Sequence, residues 1–139
     1  MSGWRLSRHF LGSTASVREA RRFVTAFLNG WPIVEAAELI VSELATNAIR
    51  HSASGRFGGR FLVTIHVGRD RLWLAVLDEG GPRTPEVLPD GQEDEGGRGL
   101  LLVSTLADSW GVDGDEQGRT VWALLSTEPA AAMQAASCR

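Results

Sequence analysis

The stretch Glu79–Arg98 constrains the fold more than any other part of the chain. It holds five glycines, three prolines and six acidic residues, with almost nothing apolar, yet strongly apolar segments flank it on both sides. A polar excursion of this length inside a small domain is typically functional or disordered. The architecture must therefore place it between secondary-structure elements without needing it for the core.

The segments around it can be read from their periodicity. Trp4–Leu11 mixes apolar and basic residues and is expected to be an edge strand. Ser13 and Thr14 have N-cap character, and Val17, Ala20, Val24, Phe27 and Leu28 then recur at helical spacing until Gly30 and Pro32 end the run. A second helix is expected from about Val34 to His51, with Ala37, Val41, Leu44, Ala45 and Ala48 on its buried side. Phe61, Val63, Ile65 and Val67 alternate with more polar residues, and Leu72–Asp78 is a nearly unbroken apolar run. Joined by Gly68-Arg69-Asp70, the two read as a hairpin whose second strand is central. Helical character returns over Gly99–Leu106. Trp110–Val112 and Arg119–Ser126 read as a last hairpin around the turn-rich Asp113–Gly118. Residues 127–139 form an alanine-rich tail expected to be flexible. Helices interleaved with hairpin-paired strands predict an α+β two-layer sandwich, a mostly antiparallel sheet with helices on one face.

Composition narrows the function. At 139 residues and a net charge of −3, the chain is sized for one domain and carries no basic surplus to draw it to nucleic acid or acidic lipid. All 14 basic residues are arginine, which excludes P-loop, Schiff-base and kinase-strand lysines. Phosphate chemistry would have to use backbone amides, helix N-termini, arginine or a metal ion. The single cysteine, Cys138, excludes an internal disulfide. No apolar stretch has the length of a membrane span or signal segment, so a cytoplasmic location is expected.

Three clusters can carry chemistry. Glu43 and Asn47 lie four apart on the second helix, with Arg50 on the same face and His51 following. A carboxylate one turn from an amide oxygen suits Mg²⁺, or can take a proton from a hydroxyl, although a plain solvated face has the same spacing. Asp78-Glu-Gly80-Gly-Pro82 puts an acid at the exit of a buried strand, where a base's exocyclic amine could partner it and glycine would let a flat ring approach. An ordinary strand-ending turn has the same composition. Gly96-Gly97-Arg98-Gly99-Leu100 runs glycines into an apolar helix, a start suited to phosphate, with Arg98 adding a donor fork; a flexible linker would look similar.

In this order, Glu-x-x-x-Asn, Asp-x-Gly and Gly-x-Gly resemble the N box and glycine boxes of the superfamily of gyrase, Hsp90 and sensor histidine kinases, the Bergerat-fold ATPases. Val41-Ser-Glu-Leu-Ala-Thr-Asn47-Ala-Ile-Arg-His51, Gly97–Val103 and Gly118-Arg-Thr120-Val-Trp-Ala-Leu are most similar to its anti-sigma-factor serine kinase branch. The resemblance implies the histidine-kinase-like ATPase fold, with residues 1–126 a single ATP-binding domain. It implies Asn47 as ligand of Mg²⁺ bridging ATP phosphates and Glu43 as catalytic base. Asp78 would bind the adenine amine, supported by Thr120 through a water, with Gly80 shaping the pocket. Gly97, Gly99 and Leu100 would offer amides to phosphate, Arg50 and His51 would flank the nucleotide, and residues 80–98 would be the lid. Pro82 replaces the usual last glycine of its box, which stiffens the lid hinge. The lid is also acidic (Glu86, Asp90, Glu93, Asp94, Glu95).

The function so implied is an anti-sigma factor with serine kinase activity. It would bind a sigma factor and phosphorylate a small antagonist protein, with a homodimer compatible. The alternative is a sequestering module, with or without nucleotide, that lacks kinase activity. Exposed Trp4, Trp31, Trp73 or Trp122 would serve partners. His9, His51 and His66 are isolated, which disfavours a phosphoacceptor-histidine kinase.

Overall fold

The computed structural model describes residues 3–51, 58–80, 95–115 and 117–127. Eight elements follow in order: β1 (Trp4–Leu11), α1 (Thr14–Phe27), α2 (Val34–His51), β2 (Arg60–Val67), β3 (Arg71–Asp78), α3 (Glu95–Leu106), β4 (Ser109–Asp115) and β5 (Gly118–Ser126). The strands form one sheet in the order β1-β2-β3-β5-β4. Every neighbouring pair is antiparallel. The expected two-layer α+β sandwich is what the chain forms.

Alternation assigns the two faces of the sheet. Phe61, Val63, Ile65 and Val67 of β2 and Val121, Ala123 and Leu125 of β5 are all buried, whereas their intervening neighbours are only partly so. The buried rows pack against α1 and α2 through Ala20, Val24, Ala37, Ile40, Val41, Leu44, Ala45 and Ala48. All five residues expected on the buried side of α2 are in this core. Phe10 of β1 stacks on Phe61 at 5.5 Å between ring centroids, tying the edge strand to the core. Ser13 is the N-cap of α1, but its hydroxyl meets Ser16 Oγ at 3.2 Å instead of bonding a backbone amide. Trp4 is 55% exposed and lies 4.2 Å from Phe27, while Trp31 packs against the core.

Three features differ from the sequence expectation. The helix α3 begins at Glu95, four residues before Gly99, so the glycine run is helical. Asp113-Gly114-Asp115 extends β4 instead of turning, because these residues pair with Thr120, Arg119 and Gly118. Strand pairing is also not hairpins throughout: β3 pairs with β5, and α3 carries the chain past that position to β4 at the edge. The apolar character of β5 is the cause, since it alone can fill the central place beside β3. The expected flexible tail from 128 onward lies outside the described residues.

Candidate functional site

The helix α2 presents Glu43 and Asn47 at the boundary between the core and the polar end of the sheet. Leu44 and Ala48, each next in sequence, are core residues, so the helix cannot rotate to expose its neighbours without losing that burial. Asn47 is only 3% exposed, and its Nδ2 has no hydrogen-bond partner. A buried amide left unsatisfied is costly, of order 1–3 kcal/mol, and calls for a ligand. This is not the solvated face that the spacing alone also allows. Glu43 is half-buried and packs against α3: a Cβ added to Gly99 would collide with Glu43 Oε2 and stand 3.3 Å from its carboxyl carbon. Glycine at position 99 is what lets the carboxylate approach the helix. Arg50 is exposed one turn further along, and His51 closes α2.

The second part of the site lies at the end of β3. Asp78 is 8% exposed, and its Oδ1 accepts the Gly80 N–H at 2.6 Å. That tight turn needs Gly80 in the left-handed region, at φ +80. Burial pushes the Asp78 carboxyl above its ordinary 3.8; the Gly80 amide, the Arg119 charge and the Arg119 amide oppose the rise, and Glu79 adds to it.

Thr120 is not beside Asp78. It pairs with Leu77, on the sheet face away from the helices, whereas the residue opposite Asp78 is Arg119. Successive strand residues point to opposite faces, so Thr120 cannot reach Asp78 on the helix-facing side. Arg119, 3% exposed and in phase with Val121, Ala123 and Leu125, occupies that place. The sequence reading missed Arg119. Trp122 and Leu124 made both phases of β5 look apolar, although the Val121, Ala123, Leu125 phase was there to be read.

The third part is the start of α3. Gly97 and Arg98 fall in its first turn, the region whose amides a helix leaves unpaired and where its dipole favours an anion. Gly99 and Leu100 lie beyond that turn, so their amides belong to the helix's own ladder and not, as expected, to a phosphate cradle. Both are buried. Pro82 and the acidic lid residues 86–94 lie outside the described residues.

The structure thus brings Glu43 to Gly99 at the α2–α3 contact, and sets Asp78, Gly80 and Arg119 at the end of the β3–β5 pair. Among the described residues, no group of three or more His, Cys, Asp and Glu side chains could hold a metal by itself. Asn47 fits a different arrangement, in which a hard cation takes one or two protein ligands and the rest from phosphates and water. As placed, its amide would donate to a phosphate oxygen; turned about its last torsion, it would offer oxygen to the cation. A cleft of about 390 Å³ lies at the far end of the sheet among Arg5, His66, Arg69, Arg71 and Trp73 and contains none of these residues.

Residues 10–125 match the histidine kinase-like ATPase domain family. The chain belongs to this family. Among curated proteins, this histidine kinase-like ATPase domain is 37% identical over 87 residues to the serine-protein kinase RsbW of Bacillus subtilis, covering 54% of each chain. It is 34% identical over 86 residues to RsbW of Listeria innocua, covering 54% of this chain and 55% of that one. It therefore spans about half the length of these relatives. An uncharacterised protein of Streptomyces coelicolor matches at 33% identity over 91 residues, 64% of this chain and 84% of that one. The crystal structure of the RsbU and RsbW domains of Rv1364c from Mycobacterium tuberculosis superposes with a TM-score of 0.64. At 15% identity, over 90% of this chain and 34% of that one, that likeness is one of fold.

Proposed function

We propose that this ATPase-family domain is an ATP-binding regulatory protein of the anti-sigma type, which transfers the γ-phosphoryl group of ATP to a serine of an antagonist protein. The observation that carries the reading is Asn47: a buried amide with an unsatisfied end, one helical turn from Glu43. The relatives named serine-protein kinase support the choice of a protein serine as acceptor. A sigma factor and its antagonist are the proposed partners.

Each residue has a defined task in this proposal. Asp78, ionised, accepts from the exocyclic amine of adenine, and the turn at Gly80 leaves room for the ring. Asn47 holds the phosphate end, and its amide, with phosphate oxygens and water, would hold Mg²⁺. That ion would supply charge neutralisation of the phosphates. Glu43 accepts the proton of the attacking serine hydroxyl. Its seat against Gly99 fixes the carboxylate where α2 meets α3. The dipole at the start of α3 favours negative charge nearby.

The test is calorimetric titration with ATP and ADP, with and without Mg²⁺, on the wild type, Asp78→Ala and Asn47→Ala. Binding that Mg²⁺ strengthens and both variants lose supports the site. Labelled ATP with a co-encoded antagonist then reads phosphoserine formation, which Glu43→Ala should abolish. Binding without any transfer would instead favour a sequestering module that uses nucleotide. No binding at millimolar nucleotide would overturn the ATP reading.

A further inference from the structure

We propose that Arg119 is a second base-reading group of this site, donating to a ring nitrogen that flanks the amine bound by Asp78. The inference rests on reading the site as a purine-nucleotide site and deepens it.

The two residues face each other directly across the β3–β5 pair. Opposed residues on one face have Cβ atoms about 4.5–5.5 Å apart. Both lie on the helix-facing side, and both are buried. Behind Asp78 on its strand, this side carries Val76, Leu74 and Leu72; behind Arg119, it carries Val121, Ala123 and Leu125. Two apolar rows therefore end, side by side, in an acceptor and a donor. A guanidinium stays charged at any relevant pH, so burial cannot neutralise it as it can a lysine. Holding one at 3% exposure is costly unless polar groups receive its donors.

A carboxylate alone reads half of the adenine edge. The 6-amino group donates, but the ring nitrogens on either side of it, N1 and N7, accept. An adjacent acceptor and donor match that pattern, as the two ends of an Asn or Gln amide do on adenine in DNA. Asp78 and Arg119 supply the same pair from two strands. Thr120, on the opposite face, cannot take part.

The test compares Mg²⁺-ATP with its 1-deaza and 7-deaza analogues, each lacking one ring acceptor, on the wild type, Arg119→Met and Arg119→Lys. A hydrogen bond from a charged donor corresponds to about 10- to 100-fold in affinity. The wild type should bind one of the two analogues weaker than ATP by that factor. Arg119→Met should bind ATP and that analogue alike, and Arg119→Lys should restore part of the discrimination. The wild-type comparison needs no variant to fold. If the wild type binds both analogues as well as ATP, or if Arg119→Met keeps the discrimination, the assignment is overturned while the nucleotide site stands. The same holds if Arg119→Met weakens ATP and both analogues equally without losing the difference between them. If the wild type binds no ATP at millimolar concentration, the nucleotide reading itself fails and the role of Arg119 falls with it.

Discussion

Replacing Gly99 with alanine should separate stability from activity. The new methyl group would collide with Glu43 Oε2, while standing 3.3 Å from its carboxyl carbon and 3.5 Å from its Cβ. Only the far end of a flexible side chain is in the way, so the carboxylate can swing aside and the backbone can stay. Alanine in place of glycine within a helix gains about 1 kcal/mol. A displaced, off-rotamer Glu43 loses about 0.5–1.5 kcal/mol, and its broken polar contact about 1 kcal/mol. The sum is a net cost of about 1 kcal/mol or less, a fall in Tm of no more than roughly 5 °C for a domain of this size. Phosphotransfer, in contrast, should drop about 10²- to 10⁴-fold, the usual worth of a positioned base. Thermal melts and labelled transfer measure the two effects. A double-mutant cycle sharpens the stability argument: with Glu43→Ala already present there is no carboxylate to displace, and Gly99→Ala should raise Tm. If Gly99→Ala lowers Tm equally in both backgrounds, the backbone and not Glu43 absorbs the methyl group, and the reasoning is wrong.

Other expectations concern the rest of the fold. The pKa of Asp78 is raised on folding, so its ionised form is disfavoured in the native state. Its stability penalty is absent below the ordinary 3.8, grows as pH rises towards the folded value, and is complete above it. Asp78→Asn, which keeps an acceptor for Gly80, should therefore melt higher than wild type near neutral pH and lose that advantage on acidification, as Tm against pH will record. Phe61→Ala removes a fully buried ring stacked on Phe10 and should cost about 3–5 kcal/mol, seen as a lower urea midpoint. Glu38→Ala breaks the exposed Arg21–Glu38 pair, 2.7 Å apart, and should cost at most about 0.5 kcal/mol, shrinking further in high salt.

How much the sequence disclosed depended on whether one periodicity stood out. In α2, Ala37, Val41, Leu44, Ala45 and Ala48 form a single apolar stripe, so both its bounds and its buried face were legible. Glu43 and Asn47 then had to sit along the edge of that stripe. In β5, apolar residues occur in both phases, because the sheet's open face carries Trp122 and Leu124. The side of the sheet that Arg119 and Thr120 each take is thereby obscured in the sequence. The start of α3 was hidden by glycine, whose low intrinsic propensity is overridden once Leu100 and Val103 dock in the core. The approach of Glu43 to Gly99 spans more than fifty residues of sequence, and no local pattern encodes it.

The sheet order also sets a timetable. The interior strand between β3 and the edge strand β4 is β5, the last of the five to be synthesised. Until it emerges, β3 shows an unpaired edge lined by Leu72, Leu74 and Val76, and β4 has no neighbour at all. At about 5–20 residues per second, roughly 2–10 s separate the completion of β3 from that of β5. Throughout that interval the nascent chain carries an open apolar edge of the kind that invites pairing with another chain. The strand that closes this edge is also the one that brings Arg119 opposite Asp78. Protection from aggregation and the pairing of Asp78 with Arg119 are therefore one event, and it comes at the end of synthesis of the domain.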